Sequence, residues 1–240
     1  MSGHSKWSQI KRQKGAADVK RSSLFTKLAN NIAVAARDGK DPDMNFRLRL
    51  AIDRARAANM PNDNIDRAVK RGAGELEGQI IEEITYEAYG PGGAALVIRV
   101  LSDNKNRSAS EVRTTLNKYN GNLGAAGSVV WNFTLKGVIR VEQEHVQEKD
   151  IDTLSLELVD AGAEDIAQSE EGLTIFTAVS GLAEVQSALH KQNIAIAEAG
   201  LEYVPNTTVA LDEKASGQMH TLIDALEELD DVDAVFTNAQ

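Results

Sequence analysis

The side chains best suited to chemistry in this sequence are positively charged, and they are concentrated near its amino-terminal end. Through Gly78 the chain has 16 Lys and Arg against 9 Asp and Glu, whereas from Gln79 to Gln240 it has 10 against 27. The net charge of −10 and the pI of about 5.0 conceal this division. Because Lys and Arg bind phosphate through charge-assisted hydrogen bonds, a basic end on an acidic protein predicts a polyanionic ligand, that is, nucleic acid.

The first group of candidate phosphate-binding residues lies in and just after residues 1–22. This segment is rich in Ser, Lys, Gln and Gly, with too little apolar surface to offset the entropy of ordering, so we predict a flexible basic tail. Its cations, with the first one beyond it, are Lys6, Lys11, Arg12, Lys14, Lys20, Arg21 and Lys27. Trp7 stands among them, where it could stack on a nucleobase or anchor the tail on the following domain. The sequence leaves both alternatives open.

The second group lies on two predicted helices. At 100° per residue, the arginines of the second helix lie on both flanks of its apolar stripe. The set is Arg47 and Arg54 on one flank, Arg49 and Arg56 on the other, and Arg67, Lys70 and Arg71 in the third helix. A solvated helix flank is the ordinary explanation for any single arginine. The whole set, beside a basic tail, favours nucleic-acid binding.

Two further segments could contact a ligand. Lys105 and Arg107 lie where a predicted strand gives way to a helix, and beside free helix N–H groups they would suit an anion. A capped connection with local hydrogen bonds explains these residues equally well. The glycine-rich segment Gly121 to Gly127 is predicted to be a mobile loop, or a contact loop in a large complex.

Residue types that carry catalysis or bind metals show no pattern typical of those functions. The chain has no Cys, and its four histidines are isolated in the sequence. Gly90 to Gly93 lacks the helix and the Lys-Ser/Thr of a phosphate loop and is predicted to be a strand-connecting turn. We therefore expect no catalytic residue, no metal and no cofactor. An enzyme, supported only by an α/β sheet with a glycine-rich loop, and a protein-binding scaffold are the competing classes.

The elements that must position these residues predict an α+β multi-domain fold. Three helices follow the tail, and from Gly137 the pattern β-α-β-β-α-β is the ferredoxin-like arrangement. The last helix and strand cannot form a domain alone, so we expect them to return to the sheet that begins near Ile80. The boundaries are 1–22 for the flexible tail, 23–78 for the three-helix domain, 79–135 plus 206–240 for a discontinuous middle α/β domain, and 136–205 for the inserted ferredoxin-like domain.

Three local signals refine these elements. Ser22 or Ser23 is predicted to cap the first helix, and Asp41-Pro42-Asp43 to open the second. The capping box Ser108-Ala109-Ser110-Glu111 predicts a helix over about 109–119. The segment Ser128 to Phe133 predicts a strand.

Several motifs together resemble a known family. They are Met1-Ser2-Gly3-His4-Ser5-Lys6-Trp7, Phe25-Thr26-Lys27-Leu28, Arg47-Leu48-Arg49, Asn59-Met60-Pro61, Tyr89-Gly90-Pro91 and Asp103-Asn104-Lys105-Asn106-Arg107. In these motifs the chain resembles the YebC/PmpR family, strongly over residues 1 to about 135 and more loosely, but collinearly, to the end.

The resemblance implies a cytoplasmic, non-enzymatic regulator with a helical domain, an α/β domain and an inserted ferredoxin-like domain. Bacterial members of the family are described as DNA-binding transcriptional regulators. A mitochondrial relative is a translational activator of cytochrome oxidase, and some bacterial relatives are linked to stalled ribosomes. A DNA-binding transcriptional regulator is therefore the first expectation, and a ribosome- or ribosomal-RNA-binding translation factor is the alternative. We expect a monomer that does not enter a membrane, since no apolar run approaches the ~20 residues of a membrane span.

Overall fold

The computed structural model of the protein describes residues 18–76, 78, 80–147 and 149–240. The helices in these residues are α1 (Asp18–Ala36), α2 (Phe46–Ala57), α3 (Asn62–Gly72), α4 (Lys105–Lys118), α5 (Ile151–Asp160), α6 (Leu182–Lys191) and α7 (Glu213–Glu227). The strands are β1 (Glu82–Tyr89), β2 (Ala95–Ser102), β3 (Asn122–Leu123), β4 (Phe133–Glu142), β5 (Ala163–Ser169), β6 (Gly172–Thr177), β7 (Glu198–Pro205) and β8 (Val232–Thr237). The predicted α+β fold class is confirmed.

Helices α1, α2 and α3 pack around an apolar core that includes the buried side chains of Ile32, Leu48 and Ile65. Asn45 fixes the start of α2, because its side chain accepts from the N–H of Leu48 at 3.0 Å and donates to the carbonyl of Ala35 at 2.7 Å. The predicted opening of α2 at Asp41-Pro42-Asp43 is therefore wrong by one turn. The Asn45 amide can both cap α2 and bond to α1, which those residues do not do here.

Helix α1 begins at Asp18, so residues 18–22, which the sequence assigns to the tail, are helical. Neither Ser22 nor Ser23 is its cap. No Gly or Pro interrupts the chain after Gly15, and a helix held in place by the packing of Leu28 and Ile32 extends at one hydrogen bond per residue.

Residues 18–132 and 207–240 form one compact unit. Its sheet is antiparallel, with the order β3-β1-β2-β8. Helix α1 packs against this sheet through Ala33 and Val34, which share a buried cluster with Ile81 and Leu101. The carboxyl-terminal strand β8 returns to the sheet begun by β1, as the sequence predicted.

A buried ion pair joins two strands of this unit. Arg99 on β2 donates from Nε to Asp233 on β8 at 2.6 Å, and the two side chains are only 12% and 5% exposed. Asn31 of α1 donates to the other oxygen of the same carboxylate. These bonds hold the pKa of Asp233 below its usual range although burial acts to raise it.

Residues 133–206 form a second compact unit with the order β4-α5-β5-β6-α6-β7 along the chain. The sheet order is β5-β6-β4-β7 and all its neighbours are antiparallel, which is the ferredoxin-like arrangement. Its core contains the fully buried side chains of Ile139, Leu158, Ile175 and Leu189.

The chain leaves and re-enters the larger unit at Asn132 and Thr207. The buried Asn132 side chain accepts from the backbone N–H of Thr207 at 3.0 Å and from its hydroxyl at 2.7 Å, and donates to its carbonyl at 2.9 Å. The Asn132 side chain thus joins the point where the chain leaves the larger unit to the point where it re-enters.

The predicted strand at Ser128 to Phe133 is wrong. Residues Val130–Asn132 form a single turn of 3₁₀ helix, and Phe133 instead begins the ten-residue strand β4. The reason is tertiary: backbone N–H groups of this segment are bound by the side chain of Glu87 on β1, so they do not join a sheet. Within the described ranges, no helix combines the length and the apolar character needed to cross a membrane.

Candidate nucleic-acid interface

The tail residues of the candidate interface fall at the edge of what the structure covers. Lys6, Trp7, Lys11, Arg12 and Lys14 lie outside the described residues. Lys20 and Arg21 lie in the first turn of α1. The interface can therefore be described from Lys27 onward.

Several of the predicted cations are held by partners within the larger unit. Lys27 donates to the carbonyl of Glu227 at 2.5 Å. Arg47 forms a salt bridge with Glu83, and Arg56 lies 3.8 Å from Asp53. Arg54 is exposed and contributes to the low pKa of Asp233 through its charge. These residues have part of their charge balanced inside the protein.

Three predicted cations differ, because they form no salt bridge with any carboxylate among the described residues. Arg67 and Lys70 are exposed and lie three residues apart on α3, so they share one face of that helix. Asp63 and Asp66 precede them by four residues but form no ion pair with them. Arg49, on α2, lies with its guanidinium 5.5 Å from the ring centroid of Phe46. Arg49 is half-buried, and the charge of Lys70 adds to that of Lys40 in lowering the pKa of Glu75, so Arg67 has the most freely available charge of the three.

A cleft beside α3 carries two guanidinium groups. Its volume is about 280 Å³, and Arg37 and Arg71 line it together with the backbone of Gly72 to Gly74. Arg37 donates to the carbonyl of Ile81 at 3.2 Å, and no carboxylate is among the described residues that line the cleft. Arg37 was not among the predicted residues. Its position at the end of α1 gives no signal in the sequence, because the cleft forms only when α3 and the chain before β1 come beside it.

Both cations of the predicted secondary anion site form salt bridges within the protein. Lys105 lies 2.5 Å from Glu82, and Arg107 donates to Asp231 at 2.8 Å. Asn104 caps the helix by accepting from the N–H of Arg107 at 3.1 Å. Helix α4 therefore starts at Lys105 and not at the predicted capping box. This geometry favours the capped connection, and we leave both residues out of the proposed interface.

The predicted mobile loop is instead held by a buried carboxylate. Glu87 is 8% exposed and accepts from the backbone N–H groups of Gly127 at 2.5 Å, Val129 at 2.7 Å and Val130 at 2.8 Å. Burial acts to raise the pKa of Glu87, but these hydrogen bonds outweigh it and hold the pKa below its usual range. Sequence reasoning missed Glu87, since nothing in its strand distinguishes it from Glu82 and Glu83.

One group of possible metal ligands occurs among the described residues. The ligand atoms of Glu142, Glu144 and His145 lie within 4.8 Å of one another. They are near neighbours along one turn and largely exposed, which is an ordinary arrangement of surface side chains, so we assign them no metal.

Comparison with known proteins shows similarity along almost the whole chain. Residues 5–75 match the family model described as the TACO1/YebC protein N-terminal domain, and residues 81–239 match the TACO1/YebC second and third domain. A relative from Desulfosudis oleivorans, named a probable transcriptional regulatory protein, is 50% identical over 100% of this chain and 96% of its own length. A relative from Treponema pallidum with the same name is also 50% identical, over 100% of this chain and 97% of its own. The crystal structure of a conserved hypothetical protein from Aquifex aeolicus superimposes with a TM-score of 0.87 at 44% identity, covering 98% of this chain and 96% of that one.

Proposed function

We propose, since this chain belongs to the TACO1/YebC family, that it is a regulatory protein which binds nucleic acid through its amino-terminal cations. The relatives' names point to the control of transcription, and for this chain we take duplex DNA as the ligand and binding, without catalysis, as its mode of action. The family expectation drawn from the sequence motifs is confirmed.

The observation that carries the proposal is a set of cations that form no salt bridge with a carboxylate among the described residues: Arg67 and Lys70, which are exposed, and Arg49, which is half-buried. An internally paired cation has little charge left for a ligand. An unpaired one can replace the counterions of a phosphate backbone, and the release of those counterions drives binding. Arg also offers two parallel N–H donors that match phosphate oxygens.

The charge of the rest of the chain supports the same orientation. From Gln79 onward acidic residues outnumber basic ones by 27 to 10. This part repels phosphate, so the protein's own field turns its basic end toward the polyanion. The cleft beside α3 adds the guanidinium groups of Arg37 and Arg71, close to the helix that bears Arg67.

The decisive test compares two double variants with the same change in charge. Arg67→Gln with Lys70→Gln removes unpaired cations, whereas Lys105→Gln with Arg107→Gln removes paired ones. Affinity for a fluorescent 30-base-pair duplex is measured at several salt concentrations. Each phosphate contact contributes about −0.9 to the slope of log K against log [salt]. We expect the first variant to make the slope shallower by about 1.8 and the second to leave it unchanged.

A flat salt response of the unaltered protein would refute the electrostatic account. Equal effects of the two double variants would show that Arg67 and Lys70 have no special role. A parallel titration with a structured ribosomal RNA fragment separates the ligands: strong binding to RNA with none to duplex DNA would contradict DNA as the ligand and favour the translation alternative.

A further inference from the structure

Two exposed aromatic side chains share one hydrogen-bond acceptor in the larger unit. Trp131 is 71% exposed and its Nε1 donates to the carbonyl oxygen of Ser128 at 3.0 Å. Tyr89 is 39% exposed and its hydroxyl donates to the same oxygen at 3.1 Å. The polar edges of both rings therefore converge on one point, and neither ring needs a further partner for its donor.

Hydrogen bonds to β1, the strand that carries Tyr89, fix the segment that carries Trp131. Glu87 binds three of its backbone N–H groups, and the N–H of Gly124 donates to the carbonyl of Glu87 at 2.7 Å. Strand β3 pairs with β1, with Asn122 opposite Tyr89 itself. A ring held in this way loses little freedom when it contacts a ligand, so its binding energy is not spent on ordering.

The segment of chain that carries Trp131 has no charged side chain. From Tyr119 to Leu135 the sequence has no Asp, Glu, Lys or Arg, although residues 79–240 are strongly acidic as a whole. The negative charge of Glu87 is buried and bound by backbone donors. A phosphate chain approaching Trp131 therefore meets no carboxylate within its own segment.

We propose that Tyr89 and Trp131 form a stacking platform for an unpaired nucleobase of a single-stranded nucleic acid. The proposal rests on the proposed function, and it adds to the phosphate contacts with duplex DNA a second contact, which stacks on a base of a strand that is unpaired. Ring stacking needs only one or two aromatic faces and accepts any base.

A nucleobase fits this site better than a protein surface does. From Tyr119 to Asn132, within the larger unit, the other exposed residues are small or polar: Asn120, Asn122 and Ala125 to Gly127. A stable protein interface needs an apolar core of much larger extent, with several anchoring side chains. A flat base needs only the rings that are present.

The test uses full-length protein with Trp131→Ala, Trp131→Leu and Trp131→Phe, and two fluorescent probes: a 12-nucleotide oligouridine and an abasic strand of equal length. The abasic strand keeps the phosphates and lacks the bases. We expect Trp131→Ala and Trp131→Leu to weaken binding of oligouridine by about 5- to 150-fold, which is the effect of one lost stacking contact. Trp131→Phe should stay close to the unaltered protein, and the abasic strand should bind all four proteins alike. Because Trp131 is exposed, all variants should keep the melting temperature of the parent.

Three outcomes would overturn the platform. The first is unchanged affinity of Trp131→Ala for oligouridine. If Arg67→Gln with Lys70→Gln still weakens both probes in that case, phosphate binding stands and only the stacking contact fails. The second is full affinity of Trp131→Leu, which would show that apolar bulk suffices. The third is a change of oligomeric state in sedimentation with no change in oligouridine affinity, which would assign Trp131 to a protein contact. If the unaltered protein binds neither probe, the platform is also overturned, whereas the proposed function is tested separately by the titration with duplex DNA.

Discussion

Replacing Glu87 by Gln tests whether one buried carboxylate holds the segment from Gly124 to Trp131. The two oxygens of Glu87 accept three backbone hydrogen bonds, two of them at one oxygen, from Val129 and Val130. The glutamine oxygen can keep those two as neutral bonds. Its amide group then faces the N–H of Gly127, so one donor is left unsatisfied.

The size of the effect follows from this count. A hydrogen bond to a charged group contributes about 1.5–3 kcal/mol and a neutral one about 0.5–1.5 kcal/mol. Losing one charged bond and weakening two others, less the easier burial of a neutral amide, gives an expected destabilisation of about 2–4 kcal/mol. The pKa of Glu87 is lowered in the folded protein, so its stabilisation is complete above the usual value of 4.5 and is lost as the pH falls through the folded pKa.

The assay is urea unfolding of both proteins, followed by circular dichroism, from about pH 7 down to about pH 3. The difference in unfolding free energy should be constant at neutral pH and shrink below about pH 4.5, because only the parent protein has a carboxylate to protonate there. Glu82→Gln is the matched control: it lies on the same strand, but its side chain is 45% exposed and pairs with the exposed Lys105, so its effect should be much smaller. Equal stability of Glu87→Gln and the parent at pH 7, or a difference that persists unchanged at pH 3, would refute the role of Glu87.

Two further changes test the packing that positions the basic helices. Gly72→Ala should destabilise the protein by about 1–3 kcal/mol, because the added Cβ would overlap the carbonyl oxygen of Ala33 and lie 2.8 Å from the Ala33 carbonyl carbon. The control is Gly217→Ala on α7, where the added Cβ meets open space, so it should be neutral or stabilising in the same urea experiment. If both substitutions behave alike, the contact between α1 and α3 is not the cause. Asp233→Asn should cost about 3–5 kcal/mol, because it leaves the charge of Arg99 buried without its carboxylate. An unchanged thermal midpoint would show that Asn31 and the other neighbours compensate.

Much of the fold follows from local patterns in the sequence. The ferredoxin-like unit is marked by an alternation of predicted strands and helices, and their predicted order is the observed one. The first strand, β4, begins at Phe133, four residues before Gly137, where the predicted pattern starts. These signals are short-range, so they do not depend on how distant segments meet.

The errors arise where the backbone is bound by a polar side chain that the sequence pattern did not single out, whether that side chain is distant in the sequence, like Glu87, or near, like Asn104. The segment before Phe133 is rich in β-branched residues, but Glu87, forty residues away, binds its N–H groups. Asn104 caps α4 in place of the Ser108 box because its side chain reaches the N–H of Arg107. A sequence pattern alone does not show which of several polar residues will be placed to bond.

For the same reason, the sequence predicts only part of the candidate interface. The sequence identifies the basic segment as a whole, since charge counts need no structure. It does not separate Arg47, which meets Glu83 on β1, from Arg67, which meets no described carboxylate. That division depends on which strand packs beside each helix.

The side-chain clasp of Asn132 on Thr207 has a consequence for how this architecture can change. Because the larger unit closes on itself at these two neighbours, the 74 residues between them span almost no gap. The first strand of the inserted unit also begins beside the point where its last strand ends, with Phe133 opposite Pro205. The entropic cost of closing a loop grows only slowly with its length, so an insertion with adjoining ends costs its host little. We therefore expect that the larger unit still folds when the inserted unit is replaced by a short peptide linker or by an unrelated domain whose termini lie close together.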